Sequence, residues 1–143
     1  MKDPIVQTYL FFGGRCEEAL EFYRTALGAQ IGMVMRFKES PEPVPADKIP
    51  AGYGDKVMHA EFTVGGSTLM ASDGCGEEAG FDGFSLSLAV PTEDAADRAF
   101  AALAEGGRVT MPLAPTFWSP RFGMVTDRFG LGWMIIVRPE NHP

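Results

Sequence analysis

The chain has 143 residues, 45% of them hydrophobic and 22% charged: enough apolar material for one ordinary domain, and too much for a disordered chain. Twelve Lys and Arg stand against 19 Asp and Glu, a net charge of −7, so the surface repels phosphate backbones and anionic lipid, and neither nucleic acid nor a membrane is an expected partner. No run approaches the ~18 apolar residues of a bilayer span, no secretory leader pattern opens the chain, and two cysteines, Cys16 and Cys75, are too few for a disulfide scaffold; a reduced, cytoplasmic protein is expected.

Residues 7–12 (QTYLFF) are rich in aromatic and β-branched side chains and read as a strand running into Gly13-Gly14. The next run, CEEALEFYRTALG, has Leu20, Tyr23 and Leu27 at helical spacing, with Glu17 and Glu18 in the first turn and Gly28 at the end. Residues 30–37 (QIGMVMRF) read as a strand. Residues 38–56 carry Pro41, Pro43, Pro45 and Pro50, which bar regular pairing; this segment is a surface loop, a lid or a dimer arm. VMHAEFTV, Gly65-Gly66 and STLMAS carry a hairpin signal.

After a glycine- and acid-rich linker at 74–83, the order repeats. SLSLAV is a strand, Thr92 is positioned to cap a helix with Ala96, Ala99, Phe100 and Leu103 on one face, RVTMPL is a strand, and FGMVTD and LGWMIIV flank a turn. Each half is therefore strand–helix–strand–strand–strand, module one at about 3–73 and module two at about 84–139 of a single domain spanning 1–143. Neither half buries much surface alone, so the two are expected to pair.

The stretches FFGGRCEEALEFYRTALGA, VMHAEFTVGGSTLMASD and GGRVTMPLAPTFWSPRFGMVTDRFGLGWMI resemble the PhnB-like family of the vicinal oxygen chelate superfamily, which includes glyoxalase I, ring-cleaving dioxygenases, fosfomycin resistance enzymes and bleomycin-binding proteins. They cover nearly the whole chain outside the proline-rich segment and the linker. The resemblance implies an α+β fold of two βαβββ modules, their sheets forming curved half-barrels around a shared cavity with helices outside, and a homodimer. Its ubiquinone-methyltransferase label finds no counterpart in this sequence, which has no glycine-rich loop after a strand for a nucleotide-like methyl donor.

Strand alternation puts Met58, Ala60, Phe62 and Val64 toward the helix and Val57, His59, Glu61 and Thr63 toward the cavity; Leu86, Leu88 and Val90 likewise oppose Ser85, Ser87 and Ala89. The four metal-ligand positions that the resemblance implies map most nearly to Thr8, Met70, Ser85 and Met134. Hydroxyls and thioethers are poor ligands for a hard divalent cation, so no cofactor is expected and a divalent metal is disfavoured. His59 and Glu61, on one strand face, read as a general acid/base pair, as two weak metal ligands, or as a solvated strand face or hydrogen-bonded structural pair.

Trp118, in a turn before Ser119-Pro120, and Arg121 suit a flat or anionic small molecule; Trp118 reads equally as a plug or a dimer contact. Asp127 is expected to cap the DRFG turn, Trp133 to pack in the core, and Cys16 to be an inert thiol. The resulting expectation is a small-molecule-binding protein without the usual four-ligand metal site. The ligand-binding candidates are Thr8, Met70, Ser85, Ser87, Trp118, Arg121 and Met134. The alternative is a lyase or dioxygenase-like enzyme with an unusual metal or acid/base site using His59 and Glu61.

Overall fold

The computed structural model describes residues 3–42, 45, 48–74, 76 and 80–138, divided into two compact units, Met1–Ala79 and Gly80–Pro143. Cys75, His142, Pro43 and the linker acids Glu77 and Glu78 lie outside the described residues.

The first unit runs β1 (Tyr9–Phe11), α1 (Cys16–Leu27), β2 (Gln30–Arg36), β3 (Val57–Val64) and β4 (Ser67–Ser72). Its sheet has the order β1-β4-β3-β2, with β1 parallel to β4 and the other pairs antiparallel. The second unit repeats this with β5 (Leu86–Val90), α2 (Glu93–Ala104), β6 (Arg108–Ala114), β7 (Phe122–Thr126) and β8 (Gly132–Val137). There the order is β5-β8-β7-β6, again with only the first pair parallel. Each unit is a βαβββ module with an open four-stranded sheet and its helix on one face, the α+β architecture that the repeat predicts.

α1 ends where its pattern says. Gly28 adopts φ 69°, its N–H reaching Arg24 O at 3.1 Å, while Ala29 N–H reaches Tyr23 O at 3.2 Å. That turn carries Ala29 into the core and leaves Leu27 half-buried, so the buried stripe is Cys16, Ala19, Leu20 and Tyr23. Tyr23 stacks on Phe62 of β3 with ring centroids 6.0 Å apart. α2 is capped by Thr92, whose Oγ1 accepts from Ala95 N–H at 3.0 Å. Ala96, Ala99, Phe100 and Leu103 are buried, and Gly123 of β7 lies beneath Phe100, where a Cβ would come within 2.9 Å of the ring. Pro112 is accommodated because β6 is an edge strand whose register shifts between Met111 and Ala114.

One detail differs from the alternation. Val57 is fully buried although parity put it on the open face; the register of β2 against β3 shifts between Met35 and Arg36, at the pair Arg36–Val57. The proline-rich segment is anchored at both ends, by 3-10 turns at Phe37–Glu39 and Tyr53–Asp55 whose rings Phe37 and Tyr53 pack 6.0 Å apart.

Candidate functional site

In the first unit the parallel register of β1 on β4 sets Tyr9 beside Met70, and the antiparallel register of β4 on β3 sets Met70 beside Glu61. These three side chains form one row across the sheet face opposite α1, since Leu10, Ala60, Phe62, Leu69 and Ala71 occupy the buried face. His59, two residues from Glu61, is on the same face. The Tyr9 hydroxyl reaches over β4 to His59 Nδ1 at 2.8 Å, and His59 Nε2 lies 3.7 Å from Glu61 Oε2. Burial pushes the Tyr9 hydroxyl above the ordinary phenol range; the Cys16 thiol adds to this, and a hydrogen bond with Ser72 works against it. The Tyr9 hydroxyl and His59 Nδ1 share one hydrogen, and the other ring nitrogen, Nε2, is the one facing the carboxylate. Phe11 stacks on Tyr9 at 5.0 Å.

Asp73, just past β4, holds these strands in place. It is buried, and its Oδ1 accepts from Gly14 N–H at 2.8 Å and Cys16 N–H at 2.7 Å, its Oδ2 from Val57 N–H at 2.8 Å. One carboxylate thus ties the β1–α1 turn, the start of α1 and the start of β3 to the end of β4.

The second unit has the same register with different chemistry. Ser87 stands beside Met134, Met134 beside Met124, and Met124 beside Met111, a row of three thioethers on the face opposite α2. Trp118, in the turn closed by Thr116 N–H to Ser119 O at 2.8 Å, is 45% exposed and packs edge-on against Phe117 and Phe122 at 4.7 and 5.5 Å. Arg121 is not aimed at this face. Its guanidinium lies 3.6 Å from Glu93 and 3.2 Å from Asp97 on α2. Asp127 caps its turn as expected, accepting from Phe129 and Leu131 N–H, and additionally takes the buried Trp133 indole N–H at 2.9 Å.

Within each module, the residues that meet between first and last strand are Tyr9 with Met70 and Ser87 with Met134. Thr8 precedes β1 and offers its carbonyl to Met70 N–H at 2.9 Å, and Ser85 precedes β5, its hydroxyl packed over the bare Cα of Gly132. Thr8 and Ser85 thus stand one and two residues before the residues that pair across their sheets. A phenol, a hydroxyl and two thioethers do not suit a hard divalent ion, and no three His, Cys, Asp or Glu group together among the described residues to hold a metal. Tyr9, Phe11 and Met111 were not singled out by sequence reasoning, whereas Met124 reads from sequence as gap-filling core or adaptable cavity lining; the burial alternation of Leu10 and Phe12 is the signal that places Tyr9 and Phe11 on the open face.

The model of the 3-demethylubiquinone-9 3-methyltransferase family matches residues 4–136. Protein PA1353 from Pseudomonas aeruginosa is 44% identical with a TM-score of 0.82, over 95% of this chain and 98% of that one. Protein YjdN of Escherichia coli K12 is 36% identical over 90% of this chain and 92% of its own length. A Bacillus cereus PhnB protein, described as a putative 3-demethylubiquinone-9 3-methyltransferase, is 28% identical with a TM-score of 0.76, over 94% of this chain and 99% of that one. Below 25% identity, the likeness extends to fosfomycin resistance and glyoxalase/bleomycin resistance structures and is one of fold alone.

Proposed function

The chain belongs to the 3-demethylubiquinone-9 3-methyltransferase family, the PhnB-like branch of the vicinal oxygen chelate fold, and from that membership we propose that it is a small-molecule-binding protein that works without the superfamily's four-ligand metal site. The observation that carries this reading is the pair of open sheet faces. One presents Tyr9, His59, Glu61 and Met70, the other Met111, Met124 and Met134, while half-exposed Trp118 packs on Phe122 of β7. Half-exposed thioethers and aromatic rings form an adaptable apolar lining, and a few fixed polar groups orient a ligand on it. The protein acts as a homodimer in the cytoplasm on this reading, with Met33 of β2 and Val109 of β6, both exposed on edge strands, needing cover. Among the described residues no helix is long and apolar enough to cross a membrane.

A second reading rests on one specific observation, the Glu61–His59–Tyr9 chain. A carboxylate behind an imidazole behind a phenol is an arrangement that can move a proton, which keeps an acid/base enzyme in view. The test begins with metal-stripped protein. Zinc, nickel or manganese at tens of micromolar is expected to leave its melting temperature nearly unchanged, while aromatic fragments quench Trp118 and lose that effect in Trp118→Phe. About one metal per chain by elemental analysis, removed by His59→Ala or Glu61→Ala, would overturn the metal-free reading.

A further inference from the structure

We infer that the open face of the first unit's sheet takes a positively charged, partly aromatic or alkylated small molecule, its cation seated over Met70 between the Tyr9 and Phe11 rings and the Glu61 carboxylate; this rests on the ligand-binding reading above. The argument starts from where the charges are. Arg15, Arg24, Arg36 and Lys38 are each paired with an acid, respectively Glu18, Glu21, Glu17 and Asp55, and Lys56 is held by the Gly14 carbonyl at 2.9 Å. All of these partners belong to α1, the turn before it or the proline-rich segment, and Lys48 also lies in that segment. No described Lys or Arg of the first unit is paired with Glu61, whose side chain is half exposed and has, among the described residues, His59 at 3.7 Å as its polar contact. An anion arriving at this face meets a carboxylate that no described Lys or Arg of the first unit pairs with, whereas a cation gains a charge partner.

The rest of the face suits the same ligand. Tyr9 and Phe11 are 38% and 49% exposed and stacked with their planes 24° apart, an aromatic surface that attracts cations through the ring quadrupole. Glu61 stands two strands away from Tyr9, about 9.5 Å between backbones at ordinary strand spacing, with the polarizable Met70 thioether between them. The Tyr9–His59 hydrogen bond fixes the phenol ring in this position.

The test is residue-resolved amide shift mapping with three probes of similar size: benzyltrimethylammonium, benzyl alcohol and benzylphosphonate. Benzyltrimethylammonium is expected to shift the amides of β1, β3 and β4, with binding weakened about five- to tenfold in Glu61→Gln and again in Tyr9→Leu, while both variants keep the wild-type spectrum elsewhere. If benzyl alcohol or benzylphosphonate shifts these amides equally or more strongly, or if Glu61→Gln binds the cation as well as wild type, the charge preference is wrong and ligand binding stands. If no probe of any charge shifts them, the ligand-binding reading of this face falls as well.

Discussion

Asp73 gives the sharpest test of how this fold is held. Its two oxygens accept three backbone N–H groups from three different segments, at 2.7 to 2.8 Å, and it is 1% exposed. Asp73→Ala removes all three acceptors at once. The Cys16 and Val57 N–H groups are buried and become orphaned, at about 1–3 kcal/mol each, whereas the part-buried Gly14 N–H is reached by water and contributes less. The expected loss is about 3–6 kcal/mol, a large share of the 5–15 kcal/mol of a typical domain. Asp73→Asn keeps Oδ1 for Gly14 and Cys16 and sets an amide N–H₂ against Val57 N–H, so its loss is about 2–3 kcal/mol. Urea unfolding followed by far-ultraviolet circular dichroism, with equal m-values checked, reads both. A loss under about 1 kcal/mol for Asp73→Ala, or equal losses for the two variants, would refute the clamp.

Three further outcomes are expected. Phe62→Ala, which removes the ring stacked on Tyr23, should lower stability by about 2–5 kcal/mol, and Glu42→Ala, in the exposed proline-rich segment, by less than about 0.5 kcal/mol; similar losses would mean the strand parity is misread. Burial pushes the Cys16 thiol above the ordinary thiol range, and repulsion from Asp73 and Glu17 adds to this. A folded-state value above the unfolded one gives stability that is present below about pH 8.5 and lost as pH rises. In a Cys75→Ser background, raising pH from 7 to 10 should therefore destabilise the protein by about 2 kcal/mol more than it does the Cys16→Ala variant, and a pH dependence identical in both would contradict it. Sedimentation equilibrium at micromolar protein should give twice the monomer mass, and a clean monomer would count against the dimer.

The elements of this protein are legible in its sequence because their causes are local. The 3.6-residue stripes of α1 and α2, Thr92 and Gly28 at their ends, and the Gly65-Gly66 turn each act over a few residues, and the repeat of the whole βαβββ order follows from them. His59 and Glu61 sharing a face, Trp133 in the core and Asp127 at its turn are legible for the same reason, since the two-residue period of a strand needs no knowledge of its neighbour. What the strands stand beside is a different matter. QTYLFF is aromatic on both faces, so its composition does not say that Tyr9 meets Met70 and reaches His59. The three-methionine row needs β6, β7 and β8 in one register, and the bulge in β6 around Pro112 is part of that register. Arg121 turns to Glu93 and Asp97, more than 20 residues away, because α2 packs over the start of β7. Asp73 looks like a loop acid after a strand until the β1–α1 turn and the start of β3 close around it. Register, bulges and buried acceptors join residues 9 to 61 positions apart; packing between elements decides such pairings, and the period along any one strand carries no record of them.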